Sequence, residues 1–340
     1  MSKWHVLICI SLILTHHAYA AIIRVPQDYP TIQQGIDAAV SGDIVVVAAG
    51  TYNEEITLKA GVTVRGAGEG LTIIDGGGNS GDVVFAAGND IDNDTKFQGF
   101  TVTGALSGGG MPGGAGIFCN SGAKPEIKNN RVEGNDFGIV TWNQASAYIH
   151  NNVVVNNNYG GIGLSTAATI INNTIVNCRI GVNDGGGYGP AVMNNIIIDN
   201  NLYGVHATGT QPVLTYNDVW NNATDYHNCT PGTGSISSDP VFIDPPDDYH
   251  LDSGSPCIDA GDPASQYNDP DGTRNDMGAY GGPGAAVDFP LVELTVPQQN
   301  ESNVADTTAV FALFNVAMDP ATIDSVTCRV CGNMRGLYLS

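Results

Sequence analysis

The sequence predicts an all-β solenoid, a parallel β-helix, and three observations predict it. Asparagine pairs begin at Asn129, Asn151, Asn172 and Asn194, with Asn217-Asp218 as an imperfect fifth copy, at steps of 22, 21, 22 and 23 residues. A fixed period of that size marks a stacked array of small repeats, each unable to bury its apolar face alone. Apolar residues flank every pair in the same phase: Ile127 and Val132, Ile149 and Val154, Ile170 and Ile175, Val192 and Ile197. No repeat holds the run of roughly ten amphipathic residues that a helix would need. Finally, 44 of 340 residues are Gly and only 7% are aromatic, a composition of short strands and many turns.

The elements follow in chain order. Lys3, an apolar run from Val6 to Leu14 and Ala18-Tyr19-Ala20 read as a secretory signal peptide. The run is too short to span a bilayer, so residues 1–20 are set apart from the fold. The mature chain is expected to be extracellular or at the cell surface, with no membrane insertion. Next, "TIQQGIDAAV" places Ile32, Ile36, Ala39 and Val40 on one face of a short helix. Such a helix would cover the open end of the solenoid, which otherwise exposes unpaired strand backbone. "GDIVVVAAGTYNEEITLKAGVTVRGAGEGLTIIDGGG" reads as early, less regular rungs.

Each regular repeat then supplies two strands joined at the Asn pair. A third strand is entered at Gly138, Gly161, Gly181 or Gly204. Asn tolerates the left-handed backbone that a tight bend requires, and stacked amides can donate and accept between rungs. Asn129, Asn130, Asn151, Asn152, Asn172, Asn173, Asn194, Asn195 and Asn217 are therefore assigned to a structural ladder, not to catalysis. If Val154, Ile175 and Ile197 point inward, then Val153, Val155, Val176, Ile196 and Ile198 form an outward apolar stripe. The segment Thr230–Pro283 is expected to fold back over it.

Charge narrows the partners. Without Lys3 the chain keeps 11 Lys+Arg against 34 Asp+Glu, a formal charge of −23. That excludes nucleic acid, whose phosphates need clustered cations, and disfavours direct capture of polyanionic sugars. The mature cysteines, Cys119, Cys178, Cys229, Cys257, Cys328 and Cys331, are free to pair in an exported protein, with no pairing fixed by spacing. One C-x-x-C, at Cys328 and Cys331, lacks the second half of a zinc site, so no metal is assigned.

"YPTIQQGIDAAVSGDIVVVAAGTYNEEITLKAGVTVRGAG" resembles the opening of right-handed parallel β-helix proteins of the pectin-lyase-like superfamily. "DPVFIDPPDDYHLDSGSPCIDAGDP" and "DPDGTRNDMGAYGGP" resemble the tail that closes many secreted bacterial β-helix repeat proteins. The resemblance implies a right-handed coil over residues 21–285. Residues 286–290 form a linker. Beyond it, "VFALFNVAMDPATIDSV" resembles the first half of a bacterial immunoglobulin-like domain. A β-sandwich of that type needs about 100 residues, so residues 291–340 are expected to be a truncated Ig-like module.

The catalytic phrases of pectate lyases, polygalacturonases and pectin methylesterases are absent, so the resemblance implies the fold without its chemistry. The local candidate is the first regular rung: Lys128 and Arg131 facing outward, His150 one rung above Lys128, and Trp142 just after the third strand. Together they would offer a base, a cation and an aromatic sugar platform. The plainer reading makes Lys128 and Arg131 surface ion pairs with Glu126 and Glu133. "YNDPDGTRNDMG" fails EF-hand spacing, with Tyr267 in the first ligand position and Gly278 in the twelfth. Asx turns are the favoured reading there; a structural calcium is the only cofactor the acidic surface suggests. Three functions follow: a non-catalytic polysaccharide-binding scaffold, which is preferred; a polysaccharide lyase, hydrolase or epimerase; and a purely structural surface protein. The chain is expected to be a monomer.

Overall fold

The computed structural model describes residues 20–286, apart from 80, 109–112, 167 and 187, and the backbone of four short strands beyond them. The segment read as a signal peptide lies outside the described residues, except Ala20.

Three parallel sheets of nine, eight and eight strands run the length of the coil, and the chain visits them in turn. The first sheet holds Glu126–Lys128, Tyr148–His150, Thr169–Ile171 and Ala191–Met193; the second holds Arg131–Glu133, Val153–Val155, Thr174–Val176 and Ile196–Ile198. The third holds Phe137–Thr141, Gly160–Leu164, Ile180–Asp184 and Tyr203–Ala207. Register is strict. Ile127, Ile149, Ile170 and Val192 are successive partners, as are Val132, Val154, Ile175 and Ile197. All eight are fully buried. Each such burial stabilises by about 1.5–3 kcal/mol, which makes this axial column of aliphatics the core.

The Asn pair divides its labour. Asn129, Asn151, Asn172 and Asn194 take φ between 51° and 57°, the left-handed turn that swings the chain from the first sheet to the second. The second member points inward. Asn130 Nδ2 donates to Asn152 Oδ1 at 3.1 Å, Asn152 to Asn173 at 3.0 Å, Asn173 to Asn195 at 3.1 Å, and Asn195 to Asn217 at 3.0 Å. Five residues further on, a second ladder turns the next corner through Asn135, Asn157, Cys178, Asn200 and Asn222. Buried amides cost heavily unless paired; the inward amides of the first ladder bond their neighbours along the stack, whereas in the second Asn157 Nδ2 meets the Cys178 thiol instead of an amide oxygen, and the corner Asn194 Nδ2 has no partner among the described residues.

The capping helix spans Ile32–Ala38, with Thr31 Oγ1 accepting from Gln34 N and the Glu54 carboxylate accepting from Ile32 N and Gln33 N. Gly35 lets it approach the first rung, since a Cβ there would lie 3.0 Å from Val25 and 3.1 Å from Val45. Ile32, Ile36 and Ala39 are buried as expected, but Val40 is 59% exposed. The helix ends at Ala38 and Ala39 turns extended (ψ 152°), which carries Val40 off the apolar face.

The outward stripe of the second sheet is covered. Val153, Val155, Val176, Ile196 and Ile198 pack against Tyr249, Cys257, Met277 and Ala279 of the C-terminal segment. The outward-turned corner asparagines tie that segment down. Asn151 Nδ2 donates to the carbonyls of Ala279 and Gly281, Asn172 Nδ2 to those of Asp276 and Gly278, and Asn194 Oδ1 accepts from Asp262 N. Before that, Asn228–Ser238 crosses the last rung, with Ile236 bridging to Asp218.

Cys119, Cys178, Cys229 and Cys257 are free thiols. Beyond the linker, Val292–Val296 pairs antiparallel with Phe311–Phe314, and Val330–Gly332 with Gly336–Tyr338. The rest of the expected Ig-like module lies outside the described residues.

Candidate functional site

In the first sheet the strand Lys96–Gln98 precedes Glu126–Lys128, which precedes Tyr148–His150. Lys96, Glu126 and Tyr148 are register partners, as are Gln98, Lys128 and His150. Because the central residues Phe97, Ile127 and Ile149 point into the core, these six side chains stand on the outer face.

Glu126 is the hub of that face. Its carboxylate accepts from Lys96 Nζ at 2.5 Å, from Lys128 Nζ at 3.1 Å and from His150 Nε2 at 3.0 Å. Burial resists its ionisation, but His150, Lys96 and Lys128 outweigh burial and hold the carboxyl well below the usual range. The other His150 nitrogen, Nδ1, lies 2.8 Å from Asn151 Oδ1, whose amide nitrogen is already committed to the C-terminal segment. Both ring nitrogens are thus engaged by neighbouring side chains. Tyr148 stacks on this imidazole with centroids 4.2 Å apart.

The four sequence candidates separate. Lys128 and His150 meet on Glu126. Arg131 points from the second sheet towards the covering segment: Nε binds Glu133 at 2.8 Å, Nη2 donates to Pro246 O at 3.1 Å, and the guanidinium lies 5.8 Å from the Tyr249 ring centre. Trp142, 37% exposed, begins the turn that leads into Tyr148–His150, at the opposite end of that strand from His150.

Lys96 and Tyr148 join the cluster without having been singled out in the sequence. Tyr148 stands 22 residues after Glu126 and was open to projection by the repeat. Lys96 was not. It precedes Glu126 by 30 residues instead of 22, because the sequence between Thr101–Ala105 and Ala115–Asn120 is longer than the matching stretch of a regular repeat.

In Tyr267–Gly278 the acidic side chains serve turns. Asp271 Oδ1 accepts from Thr273 N at 2.9 Å, and Asp269 accepts from the backbone of Asp276 and Gly282. Among the described residues no group of three His, Cys, Asp or Glu side chains is arranged to hold a metal. A cavity of about 150 Å³ remains between this segment and the second sheet, lined by Thr174, Tyr249, His250, Asp276 and Tyr280 among others.

A three-sheeted parallel solenoid, with one face covered by its own C-terminal segment and a polar ion-paired cluster on another, defines a β-helix protein. The sequence model for the right-handed β-helix region matches residues 53–224, just over half of the chain. The chain belongs to the right-handed β-helix family. No curated protein matches it. Among solved structures it is similar to the catalytic domain of a GH87 α-1,3-glucanase in complex with tetrasaccharides, at 17% identity and a TM-score of 0.39, over 62% of this chain and 39% of that one. A pectin methylesterase in complex with a hexasaccharide is similar at 13% identity, TM-score 0.39, over 69% of this chain and 75% of that one. Pectate lyase Pel9A is similar at 14% identity, TM-score 0.36, over 77% and 96%. At such identities the likeness is one of fold, and no activity follows from it.

Proposed function

We propose that this protein is an exported β-helix scaffold that binds polysaccharide on the outer face of its first sheet without cleaving it. The observation that carries the reading is the Glu126 cluster. A lyase, hydrolase or epimerase needs a base with a free lone pair, or an acid that holds its proton near working pH. Glu126 is held ionised by three donors, and neither nitrogen of His150 is left over. No other carboxylate stands among the six outward side chains of these three strands.

Binding asks less. The ammonium groups of Lys96 and Lys128 each spend one contact on Glu126 and are partly exposed, so further donors are available to sugar hydroxyls. Tyr148, half-buried beside them, adds an amphipathic ring. The leader-like residues 1–20 support export.

Affinity electrophoresis in gels holding soluble polysaccharides tests this, with product release followed in parallel by ultraviolet absorbance and reducing ends. Retardation of the protein, weakened by Lys128→Ala, with no product formed, is expected. Steady product release by the pure protein overturns it.

A further inference from the structure

Beyond residue 20 the chain holds His150, His206, His227 and His250, and these divide into two kinds. His150 meets the Glu126 carboxylate at 3.0 Å, and His250 meets that of Asp248 at 2.6 Å. Among the described residues His206 and His227 form no ion pair, on a chain with 34 Asp+Glu. They stand beside each other instead.

Their strands, Tyr203–Ala207 and Tyr226–His227, are the last two of the third sheet. The pairing sets Val205 opposite Tyr226 and His206 opposite His227. Val205 points into the core, so His206 points out, and His227 with it. The two imidazole centres lie 5.0 Å apart, with their planes tilted by 47°. Two imidazoles on one tetrahedral ion, at metal–nitrogen distances of about 2.0–2.1 Å, also hold their centres about 5 Å apart. Strand register alone supplies that spacing. Tyr203 packs over both rings, 4.1 Å from His227 and 5.1 Å from His206, and fixes them on one side.

The ring nitrogens suit an ion. Asn183, the register partner of His206 on the preceding rung, sets its Oδ1 2.8 Å from His206 Nδ1. An amide oxygen only accepts, so the proton of the neutral ring sits on Nδ1 and Nε2 keeps its lone pair. Ligand histidines are oriented in this way, by a hydrogen bond on the nitrogen that does not face the metal. His227 Nδ1 is buried and has no hydrogen-bond partner among the described residues. Such an orphaned nitrogen is costly, and calls for a water or an ion nearby.

Charge agrees with this. Burial, then the neighbouring His227, lowers the His206 pKa, which keeps that ring in its neutral, ligating form at pH 7. Asp184, buried on the preceding rung, adds negative charge near His206. A net charge of −22 raises the local concentration of cations. Neutral imidazoles select copper, nickel or zinc; calcium and magnesium take oxygen ligands.

We propose that His206 and His227 bind one divalent transition ion, copper, nickel or zinc, through imidazole nitrogens, with water in the remaining positions. Two protein ligands are fewer than a structural zinc site uses, so the ion exchanges with solvent and does not hold the fold. The pair lies on a different sheet from the Glu126 cluster, and the proposal does not rest on polysaccharide binding.

The test is isothermal titration calorimetry on the full chain carrying Cys328→Ser and Cys331→Ser, which removes the single C-x-x-C as a competing ligand. Copper, nickel and zinc chlorides are titrated in turn, with calcium chloride as the comparison. Binding is expected to be tightest for copper, weaker for nickel and zinc, and absent for calcium. His206→Ala and His227→Ala each weaken it about tenfold or more, and His250→Ala leaves it unchanged. Electron paramagnetic resonance of the copper form shows imidazole nitrogen couplings that the double variant loses. Circular dichroism keeps loss of binding apart from loss of fold; should an alanine variant not fold, His227→Gln is read in its place. The proposal is overturned if the parent binds none of the three ions more tightly than calcium, or if the folded His206→Ala/His227→Ala protein binds copper as tightly as the parent. A copper spectrum with oxygen ligands alone overturns it as well.

Discussion

Asn157 Nδ2 ends on Cys178 Sγ at 4.0 Å, where the flanking steps of the second ladder, Asn135 to Asn157 and Asn200 to Asn222, end on an amide oxygen at 3.2 and 2.8 Å. The thiol fills the position without filling its role. Each neighbouring ladder Asn packs over a glycine, Asn157 over Gly138 and Asn200 over Gly181, and Gly161 offers Cys178 the same space. Cys178→Asn is therefore expected to complete the ladder and stabilise the protein by about 1 kcal/mol, the net worth of one buried hydrogen bond. A melting temperature raised by about 2–4 °C would show it. Unchanged or lower melting would mean that the site has settled around sulfur.

Asp218 is fully buried, with Oδ1 accepting from Ser238 N at 3.0 Å and Oδ2 from the Cys257 thiol at 3.3 Å. Burial pushes its pKa up to about 6. A folded value above the unfolded one means that the native state holds the proton more tightly. Stability is then lost as pH rises from about 4 through 6, by about 3 kcal/mol in order of magnitude. In Asp218→Asn the amide oxygen still accepts from Ser238 and the amide nitrogen faces sulfur. The variant is expected to gain on the native protein as pH rises from 5 to 8. Asp269, also raised to about 6, keeps part of the slope in both. Parallel pH curves for the two proteins would refute the assignment.

How far the sequence carries depends on what repeats. The coil was legible because Ile127, Ile149, Ile170 and Val192 recur in phase, and the stripe Val153–Ile198 announced that something must cover it. The second ladder was equally legible, five residues after the first, at Asn135, Asn157, Asn200 and Asn222. Its asparagines lie among other Asn and Asp residues, and Cys178 breaks the run, so the eye stops at the pairs. The inner and outer duties of each pair were not legible, since Asn129 and Asn130 are the same residue type. Only the bend's left-handed φ separates them. The site was least legible. Ion pairs depend on which rungs abut, and the insertion before Gly114 shifted Lys96 out of phase with Glu126.

Glu126 is a carboxylate whose folded pKa is depressed, so its contribution is present above the unfolded carboxyl value and lost as pH falls below it. Glu126→Gln removes the shared charge and leaves Lys96, Lys128 and His150 facing one another across adjacent strands. A loss of about 1–3 kcal/mol at pH 7 is expected, the cost of stranding partly buried polar partners. The difference should shrink below pH 4, where the native side chain is itself being neutralised in the unfolded chain. Equal denaturation midpoints for the two proteins at neutral pH would show the cluster to be no more than a solvated surface.

Met277 is 1% exposed and lies in the apolar layer between the C-terminal segment and the second sheet. Truncating a buried Met to Ala costs about 2–5 kcal/mol. That cost falls on the docking of the segment, not on the solenoid, because Ile197 and its inward neighbours belong to a separate apolar cluster. Met277→Ala is therefore expected to open the segment locally, raising its cleavage by a low dose of protease more than tenfold, with cuts between Ser238 and Gly284 while the rungs stay intact. The corner bonds from Asn151 and Asn172 should make Asn172→Ala act in the same direction. Cleavage that begins within the rungs, or a segment as protected as in the native chain, would show that segment and coil melt as one unit.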